Sequence, residues 1–300
     1  MNSKATLDGA VAGDIYPTMV FVAHAGDLES KSALLAASLA DYYQPGKIAC
    51  CTMEPHERWG EISAECKALF DELGVTTHSA VNEIDESYPH GNKIGAMKGI
   101  HGPAVFLDSD ILLMAPFSWH YHLSGDAAMK AADLDTFRRG GGSWWRVWSL
   151  FDMPVPPATY TASVSGEKMR PYFNAGFISV KDGDTFATTW IDTARRIDES
   201  RWVTNKRPWL DQIAIPVVFA RLGWEVEELG VAFNYPGHLM PLDESPPYFV
   251  HYHWPRVILN SRPLLFRTKT LVNRHPLLRT ILERNEGWSE VLAAVDGQTG

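Results

Sequence analysis

The stretch AVFLDSDILL, residues 104–113, places two aspartates between runs of apolar residues. Asp108 and Asp110 are one residue apart, so their carboxylates repel each other, and apolar neighbours add a desolvation cost unless positive charge lies nearby. The run before Asp108 is short, apolar and rich in β-favouring residues, which predicts a buried strand that ends at the first aspartate. The sequence therefore predicts a strand whose carboxyl end carries two carboxylates beside a positive group.

Strand-like and helix-like segments alternate before and through this stretch. The predicted strands are TMVFVAH (18–24), KIACCTM (47–53), VTTHSAV (75–81) and PAVFLDSD (103–110). One amphipathic helix is predicted over 57–74, with Gly74 as its C-terminal residue. This alternation predicts an α/β fold with a mostly parallel sheet flanked by helices. Ligands bind such sheets at the carboxyl ends of the strands, where both aspartates and the segment 24–27 are expected.

The pattern changes downstream of residue 115. Residues 135–170 contain a triple glycine, three tryptophans and a Pro/Ser/Thr-rich tail, which favours a lid or acceptor-binding insertion. YFNAGFISV (172–180) predicts a strand in which Gly176 marks a close backbone approach. We expect a single domain over residues 1–255 that contains this insertion, followed by a C-terminal helical extension over 256–300.

Composition and charge exclude several classes of protein. The net charge of −9 argues against general nucleic-acid binding, which normally needs a basic surplus. The three cysteines show no disulfide or zinc-site spacing, which favours a reducing compartment. Residues 1–17 have no long apolar core, so we expect neither a signal peptide nor a membrane anchor. These features predict a soluble, cytoplasmic protein.

Several short segments, in order along residues 18–256, resemble glycosyltransferases of the GT-A fold. The resemblance is to family 8, the glycogenin and bacterial galactosyltransferase group. The segments are NKIGAMKG (92–99), VFLDSDILL (105–113), YFNAGFISV (172–180), WLDQIAI (209–215), FNYPG (233–237) and HYHWPR (251–256). The resemblance implies a Rossmann-like GT-A sheet and metal-dependent transfer of a sugar from a nucleotide-diphosphate sugar, usually UDP-linked.

The resemblance also implies a metal site and a cationic environment for the diphosphate. Asp108, Asp110 and His251 would hold Mn²⁺ or Mg²⁺. His253 alternates with His251 on a strand and shares its face, so either histidine is a candidate ligand. A lysine of NKIGAMKG, Lys93 or Lys98, would add positive charge, as would an arginine of HYHWPR. The predicted donor contacts are His24, Ala25, Lys93, Asp108, Ser109, Asn174, Ala175, Gly176 and Arg256.

The catalytic candidates are Asp211 and Gln212. By resemblance, Asp211 orients the transferred sugar or acts as a base, and Gln212 faces the reacting carbon. Asn174 is expected to bond a sugar hydroxyl, with small neighbours leaving room for the ring. Ile213 stands where the family often has a second acid, and the late phosphate motif is altered. Retention and inversion of stereochemistry therefore both remain open.

The basic segment near the C-terminus has two interpretations, one of which concerns the sugar acceptor. Residues 256–284 hold seven Lys/Arg and one acid, against a chain of net charge −9. Such a segment is typical of a helix on an anionic membrane face, here the cytoplasmic face of the inner membrane, which would suit a lipid-linked acceptor. The other reading is a helix docked on an acidic body. The resemblance allows a glycan, lipid-linked or small-molecule hydroxyl acceptor.

Two other functions compete with sugar transfer. Haloacid-dehalogenase-type phosphatases also use Asp-x-Asp after a strand, but normally on the first strand, whereas about three strands precede residue 108 here. The altered phosphate motif and Ile213 also allow a non-catalytic nucleotide- or glycan-binding module on the same fold. Such a module needs the metal and nucleotide contacts but not Asp211.

Overall fold

The computed structural model describes residues 16–43, 46–116, 125–242 and 246–297. Most of the N-terminal segment, for which no signal peptide is expected, lies outside them. The strands are β1 (Thr18–Ala23), β2 (Ile48–Glu54), β3 (Val75–Val81), β4 (Ala104–Leu107), β5 (Ile111–Leu113), β6 (Ala127–Ala131), β7 (Tyr160–Thr161), β8 (Lys168–Met169), β9 (Phe173–Val180), β10 (Val226–Glu228), β11 (Tyr235–Pro236) and β12 (Phe249–His251). The helices are α1 (Asp27–Ala40), α2 (His56–Trp59), α3 (Ala64–Leu73), α4 (Gly91–Ile94), α5 (Thr136–Arg139), α6 (Trp144–Ser149), α7 (Gly183–Glu199), α8 (Leu210–Leu222), α9 (Pro255–Leu259), α10 (Arg262–Arg274), α11 (Pro276–Glu283) and α12 (Ser289–Gly297).

A seven-stranded sheet forms the centre of the fold, in the order β10-β6-β9-β4-β1-β2-β3. All neighbouring pairs are parallel except those of β9, which runs antiparallel to β4 and to β6. Alternating β1 side chains enter two separate hydrophobic cores, one on each face of the sheet. The prediction of a mostly parallel α/β sheet flanked by helices is confirmed. Strand order reverses beside β1, and α/β sheets open a ligand crevice at such a point.

A second, three-stranded sheet begins where the Asp-x-Asp turn leaves the first. The chain passes from β4 through Asp108–Asp110 into β5, which pairs antiparallel with β12. In that register His251 lies opposite Ile111, the residue after Asp110. The turn is held from both sides, because Asp108 N donates to Gly176 O at 2.9 Å and Tyr252 N donates to Asp110 O at 3.0 Å. The two sheets therefore meet at the aspartates.

The single helix expected over 57–74 is two helices. Helix α2 ends at Gly60, whose φ of 76° is left-handed, and α3 starts after Ser63, whose hydroxyl accepts from Cys66 N at 3.2 Å. A Cβ on Gly60 would lie 2.5 Å from the Cβ of Ala25. The prediction was wrong because this close approach to the end of β1 interrupts a segment whose apolar spacing alone favours one continuous helix.

The insertion over 135–170 is partly packed into the core. It contains α5, α6 and the short antiparallel pair β7–β8. Trp144 is buried with its ring edge-on to Phe137 and Tyr172, and Trp148 is also buried. Trp145 is 67% exposed. Two of the three clustered tryptophans therefore stabilise the core.

The basic C-terminal segment is docked on the body of the protein. Helix α11 packs against α1 and α3, and α10 packs against α1. The buried guanidinium of Arg267 donates to Asp41 Oδ2 at 2.6 Å, Leu113 O at 3.0 Å and Ser38 O at 3.1 Å. Further ion pairs join Arg274 to Asp41, Arg284 to Glu65, and Arg279 to Glu283 and Asp296.

This docking uses four of the seven basic residues of the segment as intramolecular ion-pair partners. In the structure, the segment is therefore docked on the body of the protein, which is the second of the two interpretations. Among the described residues, no helix combines the length and the apolar character that crossing a bilayer requires. Contact of this segment with a membrane surface stays a prediction.

Removing the charge of Asp41 should destabilise the protein. The Asp41→Asn substitution leaves the buried Arg267 without its carboxylate, and breaking a buried ion pair on one side costs about 3 kcal/mol. Urea unfolding measures the change. The matched control is Asp296→Asn, which removes an exposed partner of Arg279 and should change stability little. Equal effects of the two substitutions would contradict a docking role for Arg267.

Candidate functional site

A cavity of about 570 Å³ opens at the carboxyl ends of β1 and β4. Its volume is that of a typical small-molecule site. Ten of the residues predicted from the sequence line it: His24, Lys93, Asp108, Ser109, Asp110, Asn174, Asp211, Gln212, His251 and His253. Five predicted residues are not part of the lining: Ala25, Lys98, which pairs with Glu83 instead, Ala175, Gly176 and Arg256. The structure thus brings together residues that are up to 229 positions apart in the sequence.

A partly buried lysine supplies positive charge beside the first aspartate of the turn. Lys93 Nζ lies 3.1 Å from Asp108 Oδ1 and 2.9 Å from Asp211 Oδ2. Burial alone would lower the pKa of Lys93, but the two carboxylates outweigh it and raise that pKa. Burial raises the pKa of Asp108 in spite of Lys93. Lys93 therefore remains charged and ties the Asp-x-Asp turn to the start of α8.

The second aspartate lies among histidines. His251 Nε2 is 2.8 Å from Asp110 Oδ1 and 3.8 Å from Asp108 Oδ2, and His253 Nδ1 is 3.8 Å from Asp110 Oδ2. The two imidazole rings stack with centroids 3.7 Å apart. Although burial opposes the shift, the histidines lower the pKa of Asp110. Burial, followed by the neighbouring His251, lowers the pKa of His253 to about 2.

This cluster has the composition of a divalent metal site. One ligand atom from each of Asp110, His251 and His253 lies within 4.8 Å of the others. Two imidazoles beside carboxylates suit a transition-type ion better than Ca²⁺ or Mg²⁺, which favour oxygen ligands alone. His251 approaches both aspartates, whereas the only contact of His253 with them in the described residues is with Asp110. His251 is therefore the histidine that lies near both aspartates, and His253 belongs to the same candidate group through Asp110.

The Asn-Ala-Gly strand contributes to the cavity unequally. Asn174 lines it, whereas Ala175 is buried in the core on the other face of the sheet, because neighbouring side chains of a strand alternate. Gly176 lies against His251: an added Cβ would be 2.7 Å from His251 Nδ1 and 3.0 Å from Asn234 Nδ2. The glycine is therefore required by the close packing of a histidine 75 residues later.

The remaining predicted contacts have structural partners. Ser109 Oγ donates to Val22 O at 2.5 Å, which ties the Asp-x-Asp turn to β1. His24 Nδ1 bonds the carbonyl oxygen of the next residue at 2.9 Å. Arg256 is exposed, with its guanidinium 4.9 Å from the ring centre of Trp254, which lines the cavity.

Sequence reasoning missed other groups at the site. Asp133, which lines the cavity, pairs with the buried Lys130. The Tyr88 hydroxyl lies 2.7 Å from Pro208 O and 3.2 Å from Asp211 Oδ1. Asp133 and Tyr88 lie in irregular segments without a flanking pattern, so no local signal distinguishes them. Asn234 lies within FNYPG, a segment that gives no sign of which group the side chain faces.

Enlarging Gly176 should disturb His251. In Gly176→Ala the new methyl group overlaps the imidazole, so we expect a loss of about 1–3 kcal/mol in urea unfolding, as for other overpacked sites, and a displaced His251 in a crystal structure. Gly230→Ala is the control, because an added Cβ there has open space. Unchanged stability with His251 in place would contradict the close packing.

Comparison with known proteins identifies the fold. WbbM, a bifunctional glycosyltransferase, is 14% identical over 92% of this chain and 52% of its own, with a TM-score of 0.52, and supports the fold alone. GlyE of Streptococcus pneumoniae TIGR4 is 14% identical over 79% of this chain and 55% of its own, with a TM-score of 0.48. Mouse xyloside xylosyltransferase 1 is 11% identical over 79% and 97%, with a TM-score of 0.43.

The sequence itself matches a glycosyltransferase family. This chain spans about half the length of WbbM and of GlyE. No curated protein matches it. Residues 19–223, which include the Asp-x-Asp turn, the Asn-Ala-Gly strand and the start of α8, match the Rhodobacterales glycosyltransferase domain. The chain belongs to the family of Rhodobacterales glycosyltransferase domains.

Proposed function

We propose that this glycosyltransferase takes its sugar from a nucleotide-diphosphate sugar, with UDP as the nucleotide, and that a divalent cation, manganese rather than magnesium, assists. The observation that carries the proposal is the cluster of Asp108, Asp110 and His251 beside Lys93 in one cavity. A kinship with family 8 is part of the same proposal and is supported by the order of the matching segments along the chain.

Charge at the cavity supports a diphosphate leaving group. A divalent ion, when bound at the Asp-x-Asp cluster, would neutralise the charge that develops on the departing nucleoside diphosphate. Lys93 stays cationic next to Asp108 and adds a fixed positive charge. Low exposure to solvent strengthens these interactions. The side chain of Lys93 is 13% exposed, and the side chain of His251 is only 5% exposed. The cavity is thus suited to an anionic ligand in spite of its own carboxylates.

Asp211 is suited to hold a reacting sugar. Its carboxylate is buried at the start of α8, where Lys93 Nζ lies 2.9 Å away and the Tyr88 hydroxyl 3.2 Å away. Its carbonyl oxygen accepts from Trp190 Nε1 at 3.0 Å, so the backbone is held as well. The neighbouring Gln212 lines the cavity, and its amide has no hydrogen-bond partner among the described residues. We propose that Asp211 orients the transferred sugar and that Gln212 faces the reacting carbon.

The acceptor is proposed to enter at the exposed rim. Leu239 and Trp254 are each 47% exposed and line the cavity, and an indole face suits the apolar face of a sugar. Arg256 packs on that indole and adds positive charge at the rim. A glycan hydroxyl is the acceptor that this surface fits, free or carried on a lipid. A cytoplasmic location stays a prediction from the cysteine content.

Nucleotide binding should depend on both the metal and the aspartates. Calorimetric titration of UDP with wild-type protein should give binding with Mn²⁺ and much weaker binding without it. The double substitution Asp108→Asn/Asp110→Asn should lower the affinity about 100-fold or more, because both carboxylates that would hold the ion lose their charge and even outer-shell changes cost up to about 100-fold. Asp71→Asn, on the exposed face of α3, is the matched control and should bind as wild type. Absence of binding by UDP, GDP and CDP in wild type would contradict the proposal.

Turnover should depend on Asp211 while nucleotide affinity does not. In Asp211→Asn we expect the rate of UDP-sugar hydrolysis or transfer to fall about 10²- to 10⁴-fold, the range for a group acting in the transition state. Mn²⁺-dependent UDP affinity should be unchanged, and Asp192→Asn, exposed on α7, is the control. Wild-type protein that binds UDP but turns over no UDP-sugar would instead be a non-catalytic binding module.

A further inference from the structure

A chain of hydrogen bonds, partly buried at one end and buried at the other, runs from the far wall of the cavity to His251. It begins at Asp133, which pairs with Lys130. Asn174 Nδ2 donates to Asp133 Oδ2 at 3.0 Å, and Asn234 Nδ2 donates to Asn174 Oδ1 at 3.0 Å. Asn234 Oδ1 lies 3.2 Å from His251 Nδ1. We name Asp133, Asn174 and Asn234 the amide relay.

A backbone N–H determines which way the side-chain amides of Asn174 and Asn234 are turned. Gly176 N–H can only donate, and it donates to Asn174 Oδ1 at 2.9 Å. The amide nitrogen of Asn174 must then face Asp133, whose carboxylate accepts. Asn234 must turn its own amide nitrogen to Asn174 Oδ1, and so its oxygen faces the imidazole. An oxygen there accepts a hydrogen bond, which requires a proton on His251 Nδ1.

We propose that Asn234, oriented by Asn174, is a positioning residue that keeps a proton on Nδ1 of His251 and thereby directs Nε2 to the metal. The metal assignment rests on the proposed function; the position of the proton does not. Nε2 is the nitrogen that lies 2.8 Å from Asp110 and 3.8 Å from Asp108. A metal needs the lone pair of that nitrogen, and the partner of the other nitrogen determines which one is available.

Without the relay, the opposite tautomer would be favoured. Asp110 is a charged acceptor within hydrogen-bond distance of Nε2. A neutral imidazole that lacked the Asn234 acceptor would therefore carry its proton on Nε2. That proton would occupy the metal-facing lone pair. Asn234 is 1% exposed and His251 4% exposed, so a relay oxygen left facing an unprotonated Nδ1 would be an unsatisfied buried acceptor. Gly176 completes the arrangement, since a side chain there would displace the ring.

The tautomer can be observed directly in metal-free protein. Long-range ¹H–¹⁵N correlation spectra of the imidazole rings distinguish protonated from unprotonated nitrogens, and the His251→Gln variant assigns the signal. We expect Nδ1 of His251 to carry a proton in the wild-type protein, because the Asn234 oxygen facing it is an acceptor. Asn234→Leu, similar in size but without an acceptor, should shift the proton to Nε2. Asn234→Asp retains an oxygen acceptor and should keep it on Nδ1.

Two results of this experiment would overturn the relay. One is a wild-type His251 that carries its only proton on Nε2. The other is a folded Asn234→Leu variant with an unchanged His251 signal. The wild-type spectrum needs no variant at residue 234, so the inference remains open to refutation even when Asn234→Leu does not fold.

Metal affinity provides an independent measurement. Electron paramagnetic resonance of Mn²⁺ alone, without nucleotide, should show an affinity about 10- to 100-fold weaker in Asn234→Leu, as for other residues that orient metal ligands. Asn234→Asp should be close to wild type. Asn273→Leu makes the same change at an exposed position of α10 and should bind Mn²⁺ normally. Wild-type protein that binds no Mn²⁺ would refute the proposed function, whereas equal affinities in wild type and Asn234→Leu would refute the relay.

Discussion

The pair of ionic contacts made by Lys93 is the interaction on which the rest of the site depends. Its ammonium lies between the carboxylates of Asp108 and Asp211, 2.9–3.1 Å from each. Without a cation between them, a buried carboxylate and a partly buried one facing the same point would be strongly unfavourable. The ion pairs join three separate parts of the chain: α4, the carboxyl end of β4 and the start of α8. This lysine therefore holds Asp108 and Asp211, which come from distant parts of the sequence, at one point of the cavity.

Packing around the junction of the two sheets positions the other half of the site. The turn between β4 and β5 carries the chain out of the central sheet, and the pairing of β5 with β12 brings His251 beside Asp110. The C-terminal helices support the same junction from outside, because Arg267 donates to Leu113 O at the end of β5. The basic segment thus stabilises β5, the strand with which the His251-bearing β12 pairs.

Much of the fold follows from local patterns. Short apolar runs predict β1 to β4, and the apolar run around Gly176 predicts β9, because strands and helices leave different periodicities in a sequence. The same local reasoning was wrong for residues 57–74, where a contact between Gly60 and Ala25 divides the helix. It also could not choose between a docked and a membrane-bound C-terminal segment, since Asp41 and Glu65, which pair with three of its arginines, are more than 200 residues away.

By itself, the sequence determined the α/β class, the position of the Asp-x-Asp pair at the end of a strand and a set of candidate residues. Each of these depends on a pattern of a few neighbouring residues. Only the tertiary structure decided that Lys93 is the counter-charge, that Gly176 makes room for His251 and that Asn234 faces its ring. His251 and Asp110 are 141 residues apart in the chain. Contacts at such separations are selected by strand register and side-chain packing, which no local pattern encodes.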